Sequence, residues 1–463
     1  MTEQLKLKLN DSKATRWGAL VIVAFTMMAA YYVNDVVAPL KTMLETDLAW
    51  SSTDFGFFTG GYSFLNVFFL MLIWGGLILD RFGIRFTGKL ATILMVGGTA
   101  LEYYAMTGLA GADATLFGIN EIFGYKTGVF VAFAGYSIFG VGAEVAGITV
   151  SKIIAKWFKG KELATAMGVQ VALARIGSQA GYDVAIPLAR AFGISTPVLL
   201  GLVLLLGGMI AFFIFAVMDK KLDKQMEAAA IAAGTEDEEE KFSFKDVKNI
   251  LVNPGFWLIA LLCVLFYSCV FPFQKFASEL MIIKYGINEN VAGTFAGLPA
   301  LGALILTPVF GGFIDKRGKS ASIMLLGSAM LICVHFIYAI PDINYWLVAI
   351  VLMIILGIAF SLVPSAMWPA VAKIFPVSQL GTAYALIFFI QNIGLWGIPT
   401  LIGWVLDAYC ISGKKPDGTN MYDYTVPMCI FTGIACLSLI VALLLKKADK
   451  KYGYKLEEPN IQK

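Results

Sequence analysis

Apolar stretches of about 20 residues recur twelve times along this chain, and each is long enough to cross a hydrocarbon core about 30 Å thick. They fall at 16–40, 53–79, 84–107, 127–151, 163–189, 196–218, 255–283, 291–314, 320–339, 344–371, 380–406 and 425–446, with a bend expected at Pro272 in the seventh. Backbone groups in lipid must pair within their own segment, so the spans are helices. The fold class expected is an all-α membrane protein of twelve transmembrane helices. Only 14% of residues are charged and mean hydropathy is +0.77, against about 25% charged in soluble domains.

The charged start "MTEQLKLKLNDSKATR" runs directly into a full-length span, which makes the first helix an anchor and no cleaved leader. An even number of spans puts both termini on one side. Of the 35 Lys and Arg, six then lie opposite (Lys41, Lys126, Arg190, Lys284, Lys414, Lys415), two fall within spans (Arg175, Lys275), and the remaining 27 share the side of the termini. The positive-inside rule makes that side cytoplasmic. The six cysteines are scattered without CxxC spacing and read as packing residues, neither a disulfide framework nor a metal site. His335 reads as a packed residue, and the sequon at Asn10 lies in the cytoplasmic N-terminus.

Composition shifts at 219–249, a polar linker containing the acidic run Glu236 to Glu240. It divides the chain into a six-span unit at 1–218 and a second at 250–463, the latter with a cytoplasmic tail. The halves carry a repeat. "GGLILDRFGIR" (75–85) follows the second span and "GGFIDKRGK" (311–319) the eighth. Both fit Gly-x-x-x-Asp-[Arg/Lys]-x-Gly, through Gly76, Asp80, Arg81 and Gly83, and through Gly311, Asp315, Lys316 and Gly318. Either alone is a plausible charged turn. Two at equivalent places mark duplication with parallel halves.

This pair of loops resembles the signature of the major facilitator superfamily, and the resemblance covers all twelve spans. It implies two pseudo-symmetric six-helix bundles, the major facilitator fold, working by alternating access. It also implies gating roles for Asp80, Arg81 and Asp315, which would latch the cytoplasmic side in the outward-open state. Arg85 stands where the signature usually has two adjacent basic residues. The signature is silent on substrate.

A charge at the centre of a span costs about 2.5 to 3.5 kcal/mol, and two of the charges within spans stand near mid-depth. Glu144 lies in "GVGAEVAGI" and Arg175 in "VALARIGSQAG". They flank the loop near Lys159 and Gly160 almost symmetrically, so antiparallel neighbouring helices would hold them at one depth, about 12 to 16 Å inside the helix ends. A structural salt bridge is one reading, although a buried pair gains little over apolar packing. The other is a substrate site facing a water-filled cavity. Guanidinium matches a carboxylate and Glu accepts from an ammonium, so one of each suits a zwitterion such as an amino acid or short peptide.

Tyr62 and Asn66 are one turn apart on the second span, and Gln391 with Asn392 sits about 18 Å along the eleventh. Each reads equally as site lining or as interhelical hydrogen-bonding glue. Asp35, near the outer end of the first span, needs no special role. Lys275 and Glu279 are spaced to pair along one helix. Trp368, between Pro364 and Pro369, reads as a packing or gate residue.

"KWFKGKELATAMGVQVALARIGS", "YSFLN" with "LDRFGIR", "VFPF" and "MWPAVAKIFPVSQLGTAYALIFFIQNIGL" resemble one branch of the superfamily, the lysosomal dipeptide uniporters. That branch implies that Glu144 holds the peptide's ammonium and Arg175 its carboxylate, and it implies uniport. The resemblance stops at "QKFASE" after "VFPF" and at 111–128, which has no counterpart. The expectation is a bacterial homologue in the inner membrane. It would take a dipeptide or other zwitterion as its small-molecule substrate, with the bilayer around it, no cofactor, no nucleic acid and no obligate protein partner. A carrier of free amino acids or small organic anions is the alternative. A non-transporting sensor is a remote alternative, because the sequence shows no appended signalling domain, and against a membrane enzyme the spans show no nucleophile–histidine pair or metal cluster.

Overall fold

The computed structural model of the chain describes residues 8–111, 114–158, 161–233 and 244–459. In chain order the helices are α1 (Lys13–Val36), α2 (Lys41–Asp47), α3 (Ser52–Phe68), α4 (Met71–Thr107), α5 (Thr127–Trp157), α6 (Leu163–Phe192) and α7 (Thr196–Ala233). Then come α8 (Phe244–Val252), α9 (Pro254–Tyr285), α10 (Glu289–Arg317), α11 (Ser320–Ala339), α12 (Trp346–Ile374), α13 (Val377–Tyr409) and α14 (Thr425–Tyr452). Two short hairpins, β1 (Glu121–Ile122) with β2 (Tyr125–Lys126) and β3 (Ile411–Lys414) with β4 (Asn420–Tyr422), lie in loops on the side opposite the termini.

Nine described helices are each long and apolar enough to cross a membrane, and α3 with α4 passes the same test as a bent pair. A second break, at Gly83 inside α4, divides that pair into the second and third spans. Helix α6 completes the set of twelve. It fails the apolar test because Gln170, Arg175, Ser178, Gln179 and Asp183 stand along it. The spans form two six-helix bundles, α1 with α3–α7 and α9–α14, joined chiefly through α3 against α13 and α6 against α10.

The second span differs from expectation. Helix α3 stops at Phe68, Leu70 takes a left-handed conformation (φ 54°), and the chain resumes as α4 at an angle of 58°. The signature motifs also lie in helix where loops were expected. Asp80 and Arg81 precede the break at Gly83, and Asp315 occupies the last turn of α10. The last glycine of each motif takes a positive φ at the turn, Gly83 at +74° and Gly318 at +71°, and Lys319 follows Gly318 at +65°. That region is open to glycine at no steric cost, so one or two residues reverse the chain and no longer loop is needed. The duplication read in the sequence is thus repeated in the backbone.

The polar linker also begins later than composition indicates. Helix α7 runs on to Ala233. Asp219, the first charge of that stretch, is buried and accepts from Lys156 Nζ (2.7 Å) and Trp157 Nε1 (2.9 Å). The acidic run Glu236 to Glu240 lies outside the described residues, as do Lys159 and Gly160.

Candidate functional site

Glu144 and Arg175 stand on helices that touch each other only slightly. Helix α5 packs on α3 and α4, α6 packs on α1 and α10, and α1 lies between them. The expected antiparallel contact between α5 and α6 is slight, and neither charge bonds the other. Two glycines bring the relevant residues together. A Cβ at Gly140, one turn before Glu144, would stand 2.0 Å from the Tyr62 carbonyl oxygen. Its absence lets α3 close on α5, and the Tyr62 hydroxyl donates to Glu144 Oε1 at 3.0 Å. A Cβ at Gly177 would stand 2.1 Å from the Met28 carbonyl oxygen, so α6 closes on α1 just beyond Arg175.

The Arg175 guanidinium carbon lies 5.6 Å from the Tyr31 ring of its own half and 4.9 Å from the Phe360 ring of the other. Both are cation–π distances. Among the described residues it has neither a hydrogen-bond acceptor nor an ion-pair partner, and Glu144 forms no ion pair with it. Tyr31 lies near enough to both for each charge to bear on its hydroxyl. Tyr31, Tyr62, Glu144 and Arg175 are all partly exposed, although they stand deep in their helices.

The other expected lining residues make no hydrogen bond to this pair among the described residues. Asn66 Nδ2 reaches the Tyr62 carbonyl on its own helix at 3.5 Å, and Asn392 Nδ2 reaches Phe388 O at 2.9 Å. Gln391 Oε1 accepts from Cys263 Sγ at 3.5 Å inside the second bundle. Tyr31 and Phe360, which the sequence did not single out, carry no polar signal that distinguishes them from core aromatics. His335 is packed between the rings of Phe273 and Phe431, at 4.9 and 5.2 Å. All six cysteines are free, with Cys333, Cys429 and Cys436 on exposed surface.

The expected gating residues lie on the terminus side. Asp80 accepts from Lys152 Nζ at 3.0 Å within the first bundle. Arg81 lies over the neighbouring Phe82 ring, and Arg85 pairs with Asp219 and Asp223 of α7. The charge of Asp315 bears on Lys373 of α12.

On the opposite side the halves are sealed by charges. Lys275 and Glu279 do not pair along their helix; each reaches across to the first bundle. Lys275 Nζ meets Asn34 O (2.5 Å), Asp35 Oδ1 (3.2 Å) and the Tyr136 hydroxyl (3.4 Å). Asp35, expected at an interface with no role, is buried and also accepts from Ser178 Oγ at 2.6 Å. Glu279 Oε2 meets Lys41 Nζ at 2.5 Å, Lys41 also meets Glu45 Oε1 at 2.5 Å, and Lys415 Nζ lies 3.6–3.7 Å from both carboxylates. Tyr424 donates to Glu279 as well. Lys41 and Glu279 are 1% exposed. Two more contacts complete the seal: Arg190 to Glu289, and Asp407 accepting from the Thr53 backbone N–H at 2.6 Å. Helix periodicity on α9 explains the pattern, because residues four apart share a face and that face is turned to the other half.

Comparison with known proteins agrees with this architecture. The family model described as Major Facilitator Superfamily matches residues 20–399 and 276–458. The lysosomal dipeptide transporter MFSD1 of Homo sapiens is 29% identical over 451 residues, covering 95% of this chain and 88% of that protein. The Gallus gallus protein of the same name is 33% identical over 284 residues, covering 59% and 62%. Among solved structures, a point mutant of the nucleoside transporter NupG aligns with TM-score 0.68 at 12% identity, covering 92% of this chain and 98% of its own. A bacterial homologue of the human lysosomal transporter Spinster, solved inward-facing and unoccupied, aligns at 0.62 with 14% identity, covering 98% and 99%. The relatives are transporters, and this twelve-span, multi-pass membrane protein belongs to the major facilitator superfamily.

Proposed function

We propose that the chain carries dipeptides across the membrane by alternating access, with Arg175 holding the peptide carboxylate and Glu144 its ammonium. The observation that carries this reading is the state of Arg175. A guanidinium with five donors, deep in the fold, is flanked by rings on its faces and has no acceptor among the described residues. Intramembrane charges are paired or functional, and a planar fork without an acceptor fits a ligand carboxylate. Glu144 has one donor, Tyr62, and lone pairs to spare for an ammonium. The similarity to dipeptide transporters supports the same substrate class.

The conformation closed by Lys41, Glu279, Asp35 and Lys275 on the far side is then one end of the cycle. Asp80, Arg81 and Asp315 act on the terminus side, latching it when the far side opens. The moving units are 1–218 and 250–463, linked by 219–249. Positive-inside bias makes the terminus side cytoplasmic, and the chain works by uniport, without an obligate partner, in a bacterial inner membrane. Asn66, Gln391 and Asn392 contribute lining only after the halves move.

Uptake by proteoliposomes tests the reading. Labelled dipeptide should enter down its gradient and exchange with internal dipeptide, and Arg175→Ala should abolish both. Uptake of a free amino acid or a simple organic anion, with none of dipeptide, would replace the substrate and favour the alternative carriers.

A further inference from the structure

Tyr267, Phe271, Lys275 and Glu279 follow one another at four-residue intervals on α9, a row that turns about 40° about the helix axis at each step. The upper two meet the first bundle directly, at Asp35 and at Lys41. The lower two stand one and two turns deeper than Lys275 on the same row. Their rings are stacked, with centroids 5.5 Å apart and planes 9° from parallel. Phe360 of α12 closes edge-on against both, 5.3 Å from Phe271 and 6.2 Å from Tyr267. Phe360 is also the ring lying 4.9 Å from the Arg175 guanidinium carbon, and the Arg175 charge reaches the Tyr267 hydroxyl. The second bundle therefore presents an aromatic wall beside Arg175. Glu144 stands instead with Tyr62, on helices of the first bundle.

We propose that Tyr267, Phe271 and Phe360 form the subsite for the side chain of the peptide's carboxyl-terminal residue, and that it selects apolar and aromatic side chains. This rests on the reading of Arg175 as the carboxylate holder. The side-chain-bearing carbon of the last residue is bonded to the carboxylate carbon, so its substituent begins beside whatever flanks the guanidinium. Aromatic rings gain from burying apolar surface and from ring–ring contact. A basic side chain there is repelled by Arg175. The amino-terminal residue lies toward Glu144 and Tyr62 and does not touch the wall, so selectivity depends on residue order.

Calorimetric affinities for Ala-Ala, Ala-Phe, Phe-Ala and Ala-Lys on the purified full chain test this, with Phe271→Ala, Phe271→Leu and Arg175→Ala alongside. Ala-Phe is expected to bind about tenfold tighter than Ala-Ala, which corresponds to about 1.4 kcal/mol. Phe-Ala should stay within about threefold of Ala-Ala, and Ala-Lys should bind weakest. Phe271→Ala should remove most of the affinity advantage of Ala-Phe over Ala-Ala; Phe271→Leu, which keeps apolar bulk should the alanine variant not fold, should shift the preference toward Ala-Leu. Equal affinity for Ala-Phe and Phe-Ala, or an undiminished Ala-Phe preference in both Phe271 variants, overturns the subsite. If Ala-Ala binds and Arg175→Ala abolishes it while residue order is immaterial, the subsite alone is wrong. If no dipeptide binds, or Arg175→Ala binds normally, the carboxylate reading falls and the subsite with it.

Discussion

Glu144 and Arg175 form no ion pair, although each is a lone charge of opposite sign in the interior of one bundle. Glu144 is held by Tyr62 at 3.0 Å and Arg175 by the rings of Tyr31 and Phe360. A structural salt bridge between α5 and α6 would have used both charges up. Their separation, with α1 between, leaves an acceptor and a donor fork available at once, which is the arrangement a zwitterion requires.

The Tyr62 hydrogen bond orients the Glu144 carboxylate. Hydrogen bonds to charged groups contribute about 1.5–3 kcal/mol. Tyr62→Phe is expected to weaken dipeptide binding at least about tenfold while lowering the melting temperature little, as measured by calorimetry and thermal unfolding. Unchanged affinity would assign Glu144 another orienting group.

Gly140 makes that bond possible. The methyl group of Gly140→Ala would meet the Tyr62 carbonyl oxygen at 2.0 Å, and overpacking of this kind destabilises by about 1–3 kcal/mol. The variant should melt earlier and lose affinity in parallel with Tyr62→Phe. Gly97→Ala, whose added methyl meets nothing within 4 Å, is the control and should keep wild-type affinity.

The far-side seal contains a pair on each bundle, Lys41 with Glu45 and Lys415 with Glu279. Opening can therefore separate it into two neutral pairs. Glu279→Gln destroys that balance and leaves Lys415 facing Lys41 in a buried site, a change that typically destabilises by about 3–5 kcal/mol. Spin labels at Thr46 and Asp417 should report an added, longer distance in Glu279→Gln. The population of that distance should fall when Lys415→Met is combined with it. A single unchanged distance in Glu279→Gln would show that the seal does not hold the halves together.

The amino-terminal segment is docked by ion pairs on the terminus side of the spans. Arg16 donates to both oxygens of Glu162, Lys161 pairs with Asp11, and Trp17 packs edge-on to Phe158 at 5.5 Å. Arg16 holds the Glu162 carboxyl below its usual range, and Lys161 does the same for Asp11. Carboxyls depressed in the folded state stabilise docking above the unfolded values, about 3.9 for Asp and 4.3 for Glu, and that contribution is lost as pH falls through the depressed values. The fluorescence difference between wild type and Trp17→Phe should be flat from about pH 8 to 5 and change only below about pH 4. A transition near neutrality would contradict this.

The sequence made the twelve spans, the duplication and the isolation of Glu144 and Arg175 legible, because charge and hydropathy are local properties. It misplaced the signature aspartates in loops because a turn of one or two residues leaves no polar stretch to read. It paired Lys275 with Glu279 because i, i+4 spacing shows which residues share a face and does not show what that face meets. Tyr31 and Phe360 went unnoticed among 13% aromatic residues; only packing reveals which rings lie on the guanidinium.

The most direct test of the clamp is ligand-dependent thermal stabilisation of the purified protein, since a ligand that binds only the folded state raises its stability. Free dipeptide, its N-acetyl form and its C-amide would be compared on wild type and Arg175→Ala. The account predicts stabilisation by the free dipeptide alone, absent in a well-folded Arg175→Ala. Equal stabilisation by the C-amide, or an undiminished response in Arg175→Ala, would contradict it.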